Sequence, residues 1–180
     1  GGASGRNFYN NFNYNFVKIF LIYFLTTVFI IFLLNVVGLR LLDSVNLALT
    51  SISSGGFITS ENLYDILTNN LQIFIFSIIL LFSIFNFFLF YDIFKRKFFF
   101  KDYIEDLHLA LLIILITSLF YFFVVQDKVF VNVFFAIISS ISTSGVTTNS
   151  LDIDLSLFLI LLTVAGGSLI STSSGFKYTR

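Results

Sequence analysis

Two clusters of small, oxygen-bearing residues are the part of this chain best suited to chemistry. They are Ser54, Gly55, Gly56 and Phe57, and then Thr143, Ser144, Gly145 and Val146. Glycine reaches backbone angles that let successive carbonyls aim at one axis. Serine and threonine add hydroxyl oxygens. Such an all-oxygen set suits a hard, weakly hydrated cation, which exchanges its water for carbonyls. Ordinary Gly/Ser turns in outer loops use the same residue types, so the register between the clusters matters. Thr50 to Thr59 aligned on Ser139 to Thr148 gives identity at five of ten positions: Ser51/Ser140, Ile52/Ile141, Ser53/Ser142, Gly56/Gly145 and Thr59/Thr148. The offset is 89 positions. A fixed period of this kind is the mark of a duplicated structural unit.

A third stretch is rich in the same residues. It contains Gly166, Gly167, Ser168, Ser171, Thr172, Ser173, Ser174 and Gly175. Gly and Ser weaken a helix, so this stretch reads as a break at membrane depth. Such breaks line a pathway, although close helix packing through small residues makes the same demand. A phosphate-binding loop fits poorly, because no strand precedes these glycines and Lys177 and Thr179 do not fall into its pattern.

Other chemistries find little support. There is no cysteine and a single histidine, His108, so thiolate metal sites and multi-imidazole catalysis are excluded within the chain. Lys18 and His108 sit at the edges of apolar runs, and no ionisable group lies deep inside one. An enzyme is therefore not expected. The zero net charge gives no field that would attract nucleic acid.

The elements that must position these clusters follow from composition. Hydrophobic residues make up 57% of the 180-residue chain and charged residues only 11%. Four apolar runs, at 16–39, 71–91, 107–125 and 155–170, read as membrane-spanning helices, which need about 20 residues; the first three are long enough, and the fourth spans where the Gly/Ser/Thr stretch continues its path. Between them lie two shorter apolar segments, 44–53 and 129–142, too short to cross and each ending in a Gly/Ser/Thr cluster. They read as helices that dip into the bilayer and turn back. Lys95, Arg96, Lys97 and Lys101 place the central loop on the cytoplasmic side. Asp43, Glu61, Asp65, Asp127, Asp152 and Asp154 fall on the opposite side. A dipping helix entering from outside points the negative end of its dipole at the centre of the structure. The 27 phenylalanines read as lipid-facing bulk. Methionine is absent even at position 1, which reads as an internal fragment of a longer protein.

The fold class expected is an all-α membrane protein of two tandem helix–re-entrant loop–helix repeats. Residues 1–14 form a cytoplasmic lead-in, 15–94 one repeat, 95–106 a basic cytoplasmic loop and 107–180 the other repeat.

These motifs together resemble the TrkH/KtrB/HKT superfamily of potassium transporters, most closely a bacterial TrkH-type subunit. The resemblance covers nearly the whole chain and is to the second and third of four pore repeats. It implies a fourfold pseudosymmetric potassium-channel-like architecture in a multi-pass protein of the cell inner membrane. It implies potassium as the transported ion, with sodium as an alternative. Ser54, Gly55, Gly56, Phe57, Thr143, Ser144, Gly145 and Val146 would form the filter, Val146 standing where an aromatic is common. Gly166, Gly167, Ser168, Ser171, Thr172, Ser174 and Gly175 would form an intramembrane gating loop, with Ile170 in place of a glycine. The implied partners are a second copy of the protein and a cytoplasmic TrkA-type nucleotide-binding ring. A non-transporting scaffold subunit of the same fold is the other reading.

Overall fold

The computed structural model describes residues 2–60, 62–86, 89, 103–123, 130–146, 156–168 and 171–176. Among the described residues the chain is all-helical. The helices are α1 (Gly2–Val36), α2 (Leu41–Ser53), α3 (Asn70–Ile84), α4 (Ile104–Phe123), α5 (Phe130–Ile141) and α6 (Ser156–Ala165). A single 3-10 turn, Leu63–Asp65, lies between α2 and α3. Two helices contain stretches long and apolar enough to cross a membrane, Ile19–Val36 in α1 and Ile104–Phe122 in α4.

Large apolar side chains fill a buried core and also cover much of the surface. Phe16, Phe20, Phe24, Phe32, Leu25, Leu41 and Leu42 are exposed, while Asp43, Ser44, Ser51, Ser77, Ser139 and Ser142 are buried. Exposed apolar side chains in this number are unfavourable against water and are compatible with a lipid surrounding. Several of the buried serines bond the backbone of their own helix, whereas the Ser44 hydroxyl is buried without a partner among the described residues. Ser77 Oγ donates to the Ile73 carbonyl at 2.8 Å, and Ser140 Oγ to the Ala136 carbonyl at 2.8 Å.

The core joins the two halves. α3 packs against α5, α2 against α1 and α3, and α5 also against α4 and α6. Phe76 of α3 stacks on Phe135 of α5 with ring centroids 6.0 Å apart, both fully buried. Phe120 of α4 stacks on Phe158 of α6 at 4.5 Å.

Helix ends explain the path of the chain. α1 stops at a Schellman turn. Leu39 N–H reaches the Leu34 carbonyl at 3.2 Å and Gly38 N–H the Asn35 carbonyl at 3.0 Å, with Gly38 at φ +94°. α3 begins with a capping box formed by Asn69 and Gln72. Gln72 Oε1 accepts the amides of Thr68 at 2.8 Å and Asn69 at 3.3 Å, and its Nε2 donates to the Val37 carbonyl at 3.3 Å. One side chain thus ties the start of α3 to the end of α1. Gln72→Ala is expected to destabilise the protein by about 1–2 kcal/mol, read as a lower Tm in detergent. An unchanged Tm would show the box to be idle.

The run at 71–91 does not form one uninterrupted helix. α3 ends at Ile84, and Phe85 is extended at φ −82°, ψ 165°. No glycine or proline causes this. Instead the backbone bonds a longer helix would make are taken by tertiary partners. The Ile84 carbonyl accepts Ser168 N–H at 2.9 Å, the Ser83 carbonyl accepts Ser173 N–H at 3.1 Å, and Asn86 N–H donates to buried Asp106 at 2.7 Å. The run at 155–170 yields a helix only to Ala165, where the glycines begin, as the sequence suggests. The helical backbone of α1 starts at Gly2 and so includes the polar lead-in. Residues 95–102 of the basic loop at 95–106, and the acidic residues Glu61, Asp127, Asp152 and Asp154, lie outside the described residues.

Candidate functional site

α2 and α5 are 13 and 12 residues long, too short to cross a bilayer. Each ends in a residue forced into the left-handed region. Ser54 closes α2 at φ +53°, and Thr143 follows α5 at φ +57°. Two residues later glycine takes the same region, Gly56 at φ +73° and Gly145 at φ +67°. The two pairs are separated by the 89 positions seen in the sequence.

The side chains that clasp the two turns correspond as well. Thr50 Oγ1 donates to the Phe57 carbonyl at 2.6 Å. Ser139, 89 positions on, donates through Oγ to the Val146 carbonyl. The last helical turn of each short helix therefore holds the returning chain by a hydroxyl. In the first turn Asn46 Nδ2 adds a second bond to the Phe57 carbonyl at 3.1 Å. In the second, Ser144 Oγ bonds Ser142 Oγ at 3.0 Å and Ser139 Oγ at 3.2 Å within a buried serine cluster.

The two turns touch. A Cβ placed on Gly56 would lie 1.9 Å from the Ser144 carbonyl oxygen. Only a glycine permits this approach. Residues far apart in sequence thus bring Ser54, Gly55 and Gly56 beside Thr143, Ser144 and Gly145.

The glycine-rich stretch after α6 packs against the same centre. Gly166 and Gly175 are left-handed at φ +65° and +95°, folding the stretch back on itself. Phe176 N–H reaches the Val164 carbonyl at 2.8 Å. Ser174 N–H donates to Thr143 Oγ1 at 3.0 Å, linking the stretch to the second turn. Ser168, Thr172 and Ser173 fasten it to the open end of α3. Ser168 and Ser173 use backbone amides, and Thr172 Oγ1 donates to the Ser83 carbonyl at 3.4 Å. Inside it, Gly167 N–H donates to Ser173 Oγ at 3.0 Å, and Ser171 Oγ to the Ser168 carbonyl at 2.7 Å. An open cavity of roughly 570 Å3 lies between the second turn and this stretch, lined by Thr143, Gly145, Thr163, Val164, Ser174, Gly175 and Phe176.

The chemistry available here is oxygen donation in a low-charge setting. Among the described residues no group of three His, Cys, Asp or Glu side chains comes together. His108 is exposed near the start of α4. Phe57 and Val146 are placed differently from their neighbours. Their carbonyls are already engaged by Thr50 and Asn46, and by Ser139, so they anchor the turns. Phe57 itself presents its ring on the surface, 76% exposed, whereas Val146 is buried.

Sequence reading missed the anchors. In the sequence Asp43 reads only as an outer charge, and Asn46, Thr50 and Ser139 carry no individual signal. The available signal is the spacing 43, 46, 50, which places three polar residues on one face of a short helix whose opposite face carries Leu41, Val45, Ala48 and Ile52. Compared with protein-family models, with curated proteins and with solved structures, the chain finds no match. Any functional reading therefore rests on its own residues and their geometry.

Proposed function

We propose that this chain is the pore-lining part of a potassium-conducting membrane transporter of the TrkH type. The observation that carries the proposal is the recurrence, at an 89-residue offset, of a left-handed pair closed by a hydroxyl-to-carbonyl clasp, with the two copies in contact through Gly56 and Ser144. In this reading α1, α2 and α3 form one pore repeat and α4, α5 and α6 the next. The spans lie in the cell inner membrane, with α2 and α5 as dipping helices. Carbonyls of 54–56 and 143–145, with the hydroxyls of Ser54 and Thr143, replace the water of a potassium ion. Sodium is the competing cargo, and selectivity rests on the number and field of these oxygens.

The stretch 166–175 then lies across the path as a gate. The cavity beneath the second turn is where an ion would rest, rehydrated, before passing it. Inward movement needs no chemical step, since one positive charge gains about 2.3 kcal/mol per 100 mV of membrane potential. Two further repeats would complete the ring. A second copy and a cytoplasmic TrkA-type nucleotide-binding ring are the partners this reading calls for.

The test is potassium uptake. The complete gene is expected to restore growth at low potassium to a strain lacking its own uptake systems, and Gly56→Asp and Gly145→Asp are each expected to abolish that rescue. Rescue by both variants at the wild-type level would refute the filter assignment. Purified protein that passes no cation in liposomes would favour a scaffold subunit.

A further inference from the structure

Asp43 stands out as a buried carboxylate at the start of α2, with both oxygens engaged. Oδ1 accepts the hydroxyl of Thr59 at 2.6 Å, and Oδ2 accepts Nε of Arg40 at 2.9 Å. The two contacts differ in what they hold. The Arg40 side chain is 83% exposed, so that pair is screened by surroundings. The Thr59 hydroxyl, on an exposed residue, fastens the chain two residues beyond Phe57 to a carboxylate that is itself buried. With Asn46 and Thr50 on the same helix face, Asp43 completes a row of three side chains that grip the strand leaving the first turn.

The second turn is gripped differently. At the matching positions stand Asn132 for Asp43, Phe135 for Asn46 and Ser139 for Thr50. Phe135 is fully buried and stacked on Phe76, so the middle grip is absent and an inter-helix contact replaces it. Carboxylate and extra amide are specific to the first turn. That turn also has the weaker apolar backing, since Phe57 is exposed where Val146 is buried.

We infer that Asp43 is a positioning residue for ion discrimination. Through Thr59 it holds the first turn at the spacing that suits the larger, more weakly hydrated alkali cation. In this role it acts through Thr59 and not by contact with the ion. A turn released from this strut can close on a smaller ion. The inference rests on the proposed transport function.

The experiment measures cation flux through the whole protein in liposomes under potassium and sodium gradients. Asp43→Ala and Thr59→Val each remove the contact, the latter with almost no change of shape. Each is expected to lower the potassium-to-sodium permeability ratio about tenfold, and the double variant no further, because both delete one hydrogen bond. Asp43→Asn keeps an acceptor for Thr59, as Asn132 could in the other half, and is expected to keep the ratio within about twofold of wild type. Arg40→Gln is expected to do the same. Wild-type ratios in Thr59→Val and Asp43→Ala would overturn the inference while leaving transport standing. A ratio lost equally in Asp43→Asn would also overturn it, since the charge and not the strut would then matter. Wild-type protein without potassium flux would instead remove the transport reading on which the inference depends.

Discussion

Gly56→Ala is expected to reduce potassium uptake at least tenfold, and Gly145→Ala to reduce it by less than about fivefold, although the two glycines occupy equivalent places. Both sit in the left-handed region, where an alanine costs about 1–2 kcal/mol. That cost is common to the two positions and sets the milder effect. The difference lies in what a methyl group would meet. At Gly145 nothing stands within 4 Å among the described residues. At Gly56 the added carbon would lie 1.9 Å from the backbone oxygen of Ser144 and 3.1 Å from its carbon. No rotamer change relieves that contact, since both partners are main chain. One turn must retreat from the other, and the oxygens that would strip an ion of water lose their common spacing. Rubidium or potassium uptake normalised to membrane protein level separates this from poor expression. Greater damage from Gly145→Ala than from Gly56→Ala would mean that the contact between the turns is not what organises the site.

The short helices were legible because their length and their ends agree. Segments 44–53 and 129–142 became Leu41–Ser53 and Phe130–Ile141. Their apolar runs stop at clusters in which Ser54, Gly56, Thr143 and Gly145 can turn left-handed. The break after Ala165 was legible for the same reason, being written in Gly166 and Gly167. By contrast, the end of α3 at Ile84 has no local cause. The run through 71–91 is apolar, so periodicity and propensity both favour continuation. Bonds from Ser168, Ser173 and Asp106, contributed by residues at least 20 positions away, decide against it. The polar lead-in carries no apolar run that would mark a helix, yet α1 begins at Gly2, since the backbone ladder needs no apolar side chain to form. At the site, residue type marked the glycines whose backbone turns left-handed. The anchors behind them were hidden, because a lone Asp or Thr on a short helix gains meaning only when the returning strand is known to pass it. Asp43 with Thr59, and Thr50 with Phe57, are contacts of that kind.

The same open end of α3 sets the second large effect. Gly167→Ala is expected to raise potassium flux in the absence of any cytoplasmic regulator. A Cβ at Gly167 would lie 2.5 Å from the Ile84 carbonyl oxygen, 2.4 Å from Ser173 Oγ and 3.0 Å from Ser171 Oγ. The serines can swing away, but the Ile84 oxygen belongs to the helix end that receives the stretch. Relief requires lifting the stretch from α3, which breaks the Ser168-to-Ile84 bond, and with it the Ser173-to-Ser83 bond and the Gly167-to-Ser173 bond. At about 1 kcal/mol each, losing two or three of these weakens the closed arrangement by about 2–3 kcal/mol, a shift of about 30- to 150-fold in the balance of closed and open forms. Unregulated flux should therefore climb until the open pore itself limits it. Ser174→Ala is the matched control, because Ser174 contributes its backbone amide to Thr143 Oγ1 and that bond survives the change. If residues 166–175 serve only to pack helices closely, Gly167→Ala should lower the Tm and leave flux at or below wild type. A fall in flux from well-folded Gly167→Ala protein would therefore remove the gate from the proposed mechanism, whatever the fate of the filter.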